Sequence, residues 1–231
     1  PPDVVQVREE QYSSIGNYDL LTIVSGDRAN PLETSVQNRF YAIRDLYIDG
    51  LTDGDPAVPG DEDGLADGLA TVEGKTEARS GDLLDLTLVN GVSSDNLAEM
   101  LVRKGYFIDF EVDGEKGLSK PVILDGKVFF TTYLPGETAA GAACSLAEGS
   151  GQLYGIDVLT GEAAYEWDET DPARNVNDRT HTLGAGIPSS AVPIFQEKGI
   201  TLLIGGGGGA TTVDPDIGLP RTRTYWFNQT N

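Results

Sequence analysis

The sequence predicts an all-β protein, and three observations support this class. Short runs rich in Val, Ile, Phe, Tyr and Thr recur along the chain and are separated by turn residues. Glycine accounts for 29 of the 231 residues, which is expected where tight turns join many short strands. Only residues 93–104 combine the apolar spacing of a helix with suitable residues at both ends. We therefore expect sheets of short strands with one short helix.

Four strands are predicted in the N-terminal half, at residues 18–25, 40–47, 83–89 and 106–112. Residues 26–33 separate the first two strands and contain the Gly, Asp, Asn and Pro that are typical of turns. The helix precedes the fourth strand, with Ser94 as its N-cap and Lys104-Gly105 as its end. In the third strand, apolar and polar residues alternate only weakly, so it is the least regular of the four.

Three hairpins are predicted in the C-terminal half. In the first, residues 122–124 and 128–133 flank Asp125-Gly126, a dipeptide that favours a two-residue turn between antiparallel strands. The other two hairpins join residues 153–158 to 163–167 and residues 193–196 to 200–204. A last strand is expected at residues 222–227.

The second hairpin has the form of a propeller blade. Asp157 closes its first strand, Thr160-Gly161 reverses the chain, and Trp167 is placed to pack between sheets. This pattern resembles the blades of quinoprotein-type β-propellers. A blade cannot bury both of its faces alone, so further blades are expected beside it. At roughly 40–50 residues per blade, the chain would supply about three to four blades, which do not make a closed ring.

The net charge restricts the possible partners. Asp and Glu outnumber Lys and Arg by 37 to 16, which gives a formal net charge of −21. Nucleic acid and anionic lipid both require a basic surface, so neither is an expected partner. No apolar run approaches the roughly 18 residues of a membrane-spanning helix. The acidic balance is compatible with divalent cations, with a saline extracellular setting, or with a solvated surface that has no partner.

A segment at about residues 49–80 is rich in Asp, Gly and Pro and is predicted to be a long loop or insertion. Within it, Asp61, Asp63 and Asp67 have the spacing of the later half of a calcium-binding loop, whose alternate acidic side chains supply oxygen ligands. Pro59 stands at the first ligand position, so a weak affinity is expected, on the order of 10⁻⁴–10⁻³ M. The predicted cofactor is therefore calcium. The alternative is a solvated acidic loop without a metal.

Other chemistry-bearing residues favour structural roles. His181 is the sole histidine and cannot build a histidine metal centre, so we expect a surface or hydrogen-bonded loop residue. The glycine run at 205–209 lacks the Lys-Ser/Thr of a phosphate-binding loop and predicts backbone crowding near the propeller axis or a flexible turn. Cys144 is the only cysteine, which precludes an internal disulfide, and is expected to be a small buried apolar residue. Trp226 is expected to contribute to packing.

Several blocks of the sequence, taken in order, resemble a known family. They are GDRANPL at 26–32, SVQNRFYAIRD at 35–45, LLDLT at 83–87, the long block at 104–135, Cys144, and GQLYGIDVLTGE at 151–162. Together they resemble the C-terminal propeller domain of PilY-type proteins, the tip-associated biogenesis factors and adhesins of bacterial type IV pili. The resemblance extends from about residue 20 to residue 227.

The resemblance implies that residues 1–231 are the C-terminal part of a PilY-like β-propeller domain in a longer protein. It implies a non-enzymatic protein that is exported through the periplasm to the pilus tip or outer cell surface. Such a protein promotes pilus assembly and extension, counters retraction in twitching motility, and helps cell adhesion. The implied partners are minor pilins at the tip and the N-terminal part of its own chain. The Arg-Gly-Asp triplet of integrin-binding members is absent, so integrin binding is not expected.

Two other functions remain open from the sequence. One is a quinoprotein dehydrogenase, since those enzymes share the blade motif and hold pyrroloquinoline quinone with a calcium ion. The adjacent cysteine pair often found beside that quinone is absent, because Cys144 is the sole cysteine. The other is a propeller scaffold in outer-membrane protein assembly.

Overall fold

The structure is a computed structural model, and it describes residues 2–8, 17–45, 83–93, 96–136, 148–167, 173–197 and 199–218. The strands, in chain order, are β1 (Asp3–Arg8), β2 (Asn17–Val24), β3 (Arg39–Asp45), β4 (Leu84–Asp85), β5 (Gly105–Asp109), β6 (Lys116–Gly117), β7 (Val122–Leu124), β8 (Lys127–Leu134), β9 (Ser150–Asp157), β10 (Thr180–Ala185), β11 (Val192–Gln196), β12 (Gly199–Gly206) and β13 (Gly209–Ile217). Between β4 and β5 lies one α-helix, α1 (Leu97–Val102), and a 3-10 helix (Val176–Arg179) precedes β10. The predicted all-β class is confirmed.

The strands form three sheets that follow one another along the chain. The first sheet has the order β1-β2-β3-β5-β4, the second has the order β10-β9-β8-β6 with β7 also pairing β8, and the third has the order β11-β12-β13. Every pairing is antiparallel except that of β4 with β5. No sheet closes on itself within the part of the chain described.

The second sheet is buried on both faces, and this places it between the other two. Phe129 and Phe130 are neighbours on β8, so their side chains point to opposite faces, and both are fully buried. Phe130 stacks on Phe40 of the first sheet, with ring centroids 4.9 Å apart. Phe129 belongs instead to a cluster that includes Leu202 and Ile204 of the third sheet. The three sheets therefore pack through two separate apolar clusters.

The turns at two hairpins are as the sequence predicts. Asp125 and Gly126 both have positive φ, at +49° and +72°, and they join β7 to β8 as an antiparallel pair. The glycine run forms the turn between β12 and β13, where Gly207 and Gly208 have φ of +54° and +82°. A Cβ on Gly207 would lie 2.5 Å from the carbonyl oxygen of Ala185. The run therefore forms a turn that lies close to the backbone of β10.

Two predicted strands are shorter than the pattern indicates. Within 163–167, only Ala163 forms a bridge, to Ile156, because the backbone N–H of Trp167 donates to the side chain of Asp178 and not to a strand. The strand expected at 83–89 is limited to Leu84–Asp85, because the Asp85 carboxylate accepts a hydrogen bond from the N–H of Thr87 and turns the chain. The helix is also shorter than residues 93–104.

Besides the two-residue β6, three strands were not predicted, and two of them have sequences that disfavour strands. β10 has the sequence THTLGA and β13 has the sequence GATTVDPDI, with an internal proline. Both lie at the edge of a sheet, where most of their residues are half-buried or exposed and where a proline is tolerated. The third is β1, the edge strand of the first sheet. Neighbouring strands, and not local propensity, determine the structure of such edges.

Among the described residues, no helix has the length and apolar character needed to cross a membrane.

Trp167 is half-buried and not enclosed between sheets. Its ring lies 5.4 Å from that of Tyr165 and 5.5 Å from that of His181, between centroids. We expect Trp167→Ala to lower the free energy of unfolding by about 1–3 kcal/mol, less than a fully enclosed aromatic residue, because part of the ring already contacts water. Urea denaturation followed by circular dichroism measures this. Leu88→Ala, at an 80% exposed position, is the control, with an expected change within about 0.5 kcal/mol.

Candidate functional site

The candidate site is a pocket with a mixed polar and apolar lining between the first and second sheets, with a volume of about 160 Å³. Its lining includes two glutamates, two amides, a tyrosine and an arginine: Glu111, Glu115, Gln152, Asn177, Tyr154 and Arg179. These residues come from three separate segments of the chain. Only the packing of the two sheets brings them together.

The second sheet positions one wall of the pocket through strand register. On β8 and β9, Thr132 pairs with Gln152 and Phe130 pairs with Tyr154. Paired residues point to the same face of a sheet, and residues two apart do as well. Since Phe130 faces the first sheet, the other three side chains face it too. The register therefore directs a hydroxyl, an amide and a phenol towards the pocket.

Glu115 lies at the base of the pocket and is 2% exposed. One carboxylate oxygen, Oε1, accepts hydrogen bonds from Thr132 Oγ1 at 2.6 Å and from the Tyr154 hydroxyl at 3.0 Å. Burial raises the pKa of Glu115, and the hydrogen bonds from Thr132 and Tyr154 oppose this increase. The pKa of Tyr154 is also raised, by burial and by the nearby Glu115 carboxylate.

Arg179 is a buried cation held by backbone carbonyl groups. It is 1% exposed, and its guanidinium donates to the carbonyl oxygens of Gly161 at 3.1 Å and Leu86 at 2.9 Å, and also to those of Thr87 and Val89. Burial lowers its pKa from the ordinary arginine value. The side chain joins the turn after β4 to the Thr-Gly turn of the second sheet.

The 3-10 helix before β10 fixes the backbone position of Arg179. Its capping box is complete, because the Asn175 side chain accepts from the N–H of Asn177 while the Asp178 side chain accepts from the N–H of Asn175. Asp178 is fully buried and also accepts from the N–H of Trp167. This short helix therefore anchors the segment before it as well as the arginine.

The rim of the pocket carries polar side chains that make no hydrogen bond to any described residue. Glu111 and Asn177 are exposed, and Gln152 is half-buried. Asp109, which also lines the pocket, forms an ion pair with Arg39. The guanidinium of Arg39 additionally lies over the ring of Phe107, 4.5 Å from its centroid. The open hydrogen-bonding capacity of the pocket therefore consists of carboxylate and amide groups.

The predicted calcium ligands Asp61, Asp63 and Asp67 lie outside the described residues, as do Cys144 and Trp226. Within the ranges that are described, no three acidic, histidine or cysteine side chains are placed to hold a metal ion. The calcium site in the loop thus stays a prediction. Calorimetric titration of the wild type with calcium, against the Asp61→Ala/Asp63→Ala double variant, checks it. Heat of binding is expected only in the wild type, at millimolar calcium, and equal heats would contradict it.

His181 lies in strand β10 and not in a loop as expected. Its ring packs at 5.5 Å on that of Trp167, between centroids. The residues that line the pocket were not predicted as a site. Glu115 is part of a polar EVDGEKG stretch that is typical of a turn, and Arg179 follows a run of Asn and Asp that has the same appearance. Their burial, which distinguishes them, depends on partners far away in the sequence.

Glu115 is expected to make the stability of the protein depend on pH. Because its pKa is higher in the folded state than in the unfolded chain, where it is near 4.5, the folded state binds more protons between the two values. The contribution of Glu115 to the free energy of unfolding is therefore fully present below pH 4.5. It is lost as the pH rises through the pKa of Glu115 in the folded state. We expect the wild type to lose stability relative to Glu115→Gln over this range.

Urea denaturation of the wild type and Glu115→Gln at a series of pH values tests this expectation. Gln keeps an oxygen that can accept from Thr132 and Tyr154 but cannot ionise. Glu166→Gln is the matched control, because Glu166 is exposed and its side chain accepts no hydrogen bond from any described residue. A difference between wild type and Glu115→Gln that does not change with pH would contradict the expectation.

Comparison of the chain with models of known families, with curated proteins and with solved structures gives no match. The resemblance to PilY-type proteins therefore depends on the sequence blocks alone.

Proposed function

We propose that this chain is a non-enzymatic assembly and adhesion module of the type IV pilus tip, formed by C-terminal blades of a quinoprotein-like β-propeller. In this proposal the protein is exported through the periplasm and acts at the outer surface of a bacterium. It promotes pilus extension, counters retraction and attaches the pilus to a surface. Its partners are minor pilins and the preceding part of its own chain.

The observation that carries the proposal is where the resembling blocks lie in the fold. The block at 35–45 and the block at 104–135 interlock. The Asn38 side chain donates to the Glu115 carbonyl at 2.8 Å, and the Gln37 side chain donates to the Phe110 carbonyl. Lys116 is buried, and its ammonium donates to the carbonyl of Glu33 and, at 2.9 Å, to that of Gly114. The residues by which these blocks resemble the family therefore include contacts between the first and second sheets. This supports an architecture shared with PilY-type propellers.

The outer faces of the terminal sheets also support an incomplete propeller. On the face of the first sheet away from the second, Leu21 pairs with Ile43 and Ile23 pairs with Tyr41. These residues are half-buried or exposed. The outer face of the third sheet carries exposed apolar side chains, including Val192, which is 53% exposed. In a propeller each such face would pack on a further blade, as the second sheet packs on its two neighbours.

The experiment is genetic. In the bacterium that produces the protein, deletion of the segment encoding residues 1–231 is expected to reduce surface pili and twitching strongly. Blocking pilus retraction in the same strain is expected to restore the pili. Phe130→Ala, which removes the centre of the sheet contact, should fail to complement the deletion, whereas Phe195→Ala, at a 63% exposed position, should complement it. Normal piliation and attachment in the deletion strain would contradict the proposal.

Absorbance spectroscopy of the purified chain separates this proposal from a quinoprotein dehydrogenase. A bound quinone absorbs at wavelengths well above the protein band, and the proposed module should show only the protein band. A quinone band would favour the dehydrogenase and overturn the non-enzymatic function.

A further inference from the structure

The third sheet has one strand fewer than the main ladders of the other two sheets in the described part of the chain. The first sheet contains four antiparallel strands in chain order, β1, β2, β3 and β5, and the second contains β7, β8, β9 and β10. Among the same residues, the third sheet contains β11, β12 and β13 alone. β13 is therefore an edge strand, and the segment that follows it is the nearest in sequence that could pair with it.

The side of β13 that faces away from β12 is an open strand edge. Gly206 and Gly209 pair across the Gly207-Gly208 turn, and a pair in this position exchanges both of its hydrogen bonds. Hydrogen-bonded and non-hydrogen-bonded pairs alternate along an antiparallel ladder, so the N–H groups of Ala210 and Thr212 point away from β12. Both residues are exposed. An edge of this kind is a template for a further strand.

The end of β13 where the chain leaves the third sheet is acidic. Asp214 and Asp216 are exposed and belong to none of the ion pairs among the described residues. The N–H of Asp216 donates to the Asp214 carboxylate at 2.9 Å, within a bulge of the strand. Both aspartates line a pocket of about 120 Å³ together with Gly218, the last described residue. The next segment of the chain therefore starts beside two carboxylates.

A buried hydroxyl group near these carboxylates also lacks a partner. The hydroxyl oxygen of Tyr165 is buried and makes no hydrogen bond within the described ranges. The tyrosine packs against the apolar cluster between the second and third sheets. Burial raises its pKa, and the carboxylates of Asp125, Asp216 and Asp214 add to the increase. Buried polar groups normally have a hydrogen-bond partner, so a group from outside the described residues would complete this environment.

The segment after Gly218 has a charge and a composition that match this edge. Residues 219–231 lie outside the described residues. They contain Arg221 and Arg223 and no Asp or Glu, although acidic residues outnumber basic ones by 37 to 16 in the whole chain. Residues 222–227 have the sequence TRTYWF, whose threonines and aromatic residues are typical of a strand. A cationic segment with strand propensity thus follows an acidic strand edge.

We propose that residues 222–226 pair antiparallel with residues 209–213 and form the fourth strand of the third sheet. Residues 214–221 would connect the two strands, and a connection this short joins antiparallel strands, since parallel ones need about a dozen residues or more. The connection includes Pro215, which cannot donate to a ladder and therefore lies outside the new pairing. The inference does not depend on the proposed pilus function.

The proposed register also provides a partner for the acidic groups. It places Arg221 opposite Asp214, and the guanidinium can bind the carboxylates of Asp214 and Asp216 through charge-assisted hydrogen bonds. A guanidinium has five N–H donors, so a donor remains for the hydroxyl oxygen of Tyr165. In the same register, the N–H groups of Thr212 and Ala210 donate to the carbonyl groups of residues 223 and 225.

The test is amide hydrogen exchange, measured by NMR on the ¹⁵N-labelled 231-residue chain. The N–H groups of Ala210 and Thr212 are expected to exchange at least about tenfold more slowly than those of an unstructured chain, because the added strand accepts their hydrogen bonds. The N–H of Thr211 points to Ile204 of β12 and reports whether the sheet itself is intact. Fast exchange of Ala210 and Thr212 in the wild type would overturn the proposal.

Two proline variants that differ by one position separate strand pairing from other effects. Tyr225→Pro removes an N–H that donates to Ala210, so exchange of Ala210 and Thr212 should become at least about fivefold faster while Thr211 stays protected. Thr224→Pro is the matched control, because the N–H of residue 224 points to the outer edge, where proline is tolerated. Tyr225→Val keeps the N–H and should retain the protection. Equal protection in Tyr225→Pro and the wild type would contradict the pairing.

Conservative charge variants test the contact of the arginine with the bulge. Arg221→Gln and Asp214→Asn should each speed the exchange of Thr212 by roughly two- to fivefold, the range expected for an exposed ion pair. The amide of Asp214→Asn keeps an oxygen that can accept from the N–H of Asp216. The double variant should show no further increase, because both changes remove the same contact. These variants decide the question if Tyr225→Pro does not fold, and additive effects would contradict the ion pair.

The protein concentration distinguishes this segment from a second copy of the chain as the occupant of the edge. Pairing within one chain gives the same protection of Ala210 and Thr212 at every concentration. Protection that increases with concentration would show that a second molecule occupies β13, and it would overturn the proposal.

Discussion

Arg179→Met is expected to lower the free energy of unfolding by about 3–5 kcal/mol, the range found when one partner of a buried charged contact is removed. The substitution keeps the apolar stem but leaves the carbonyl groups of Gly161 and Thr87 without a donor, whereas those of Leu86 and Val89 each keep a backbone N–H donor. Each unsatisfied buried carbonyl costs about 1–3 kcal/mol. Urea denaturation measures the loss, and the protein is expected to melt at a clearly lower temperature.

Two further variants determine whether the loss of stability comes from the planar set of guanidinium N–H donors or from the positive charge of Arg179. Arg179→Lys retains a positive charge but offers a compact ammonium, which cannot reach carbonyl groups on two separate turns at once, so most of the loss should remain. Arg28→Met is the matched control, because Arg28 is exposed and its side chain makes no hydrogen bond to any described residue. Its effect should be within about 0.5 kcal/mol. A stability of Arg179→Met equal to that of Arg28→Met would show that the guanidinium does not join the turns.

Phe130→Ala is the second variant with a large expected effect, also about 3–5 kcal/mol. Phe130 is fully buried, and its ring lies at the centre of an aromatic cluster between the first and second sheets. The centroid distances are 4.9 Å to Phe40, 4.7 Å to Tyr154 and 6.1 Å to Phe110. Truncation removes these contacts and leaves a cavity that the two rigid sheets cannot close.

Urea denaturation again provides the measurement, and Phe195→Ala is the matched control. Phe195 is 63% exposed on the edge strand β11, so its truncation should change the stability by no more than about 0.5 kcal/mol. Phe130→Leu should recover part of the loss, because it refills some of the volume. Equal stabilities of the two alanine variants would contradict the assignment of Phe130 to the sheet contact.

Local chemistry was enough to predict several elements of the fold from the sequence. β2 and β3 follow from short runs rich in apolar and aromatic residues, and the hairpin of β7 and β8 follows from Asp125-Gly126, whose residues adopt the positive φ that this turn requires. The hairpin of β11 and β12 was also predicted. In each case the determining interactions lie within a few residues, so a pattern in the sequence can report them.

The edge strands and the pocket depended on contacts that only the tertiary structure supplies. β10 and β13 have weak strand sequences and form because a neighbouring strand offers hydrogen bonds. Arg179 donates to Leu86, which is 93 residues away, and Glu115 accepts from Tyr154, which is 39 residues away. By itself, the sequence determined the all-β class and the local hairpins. The packing of the sheets decided which charged residues are buried, because burial depends on partners that are distant along the chain.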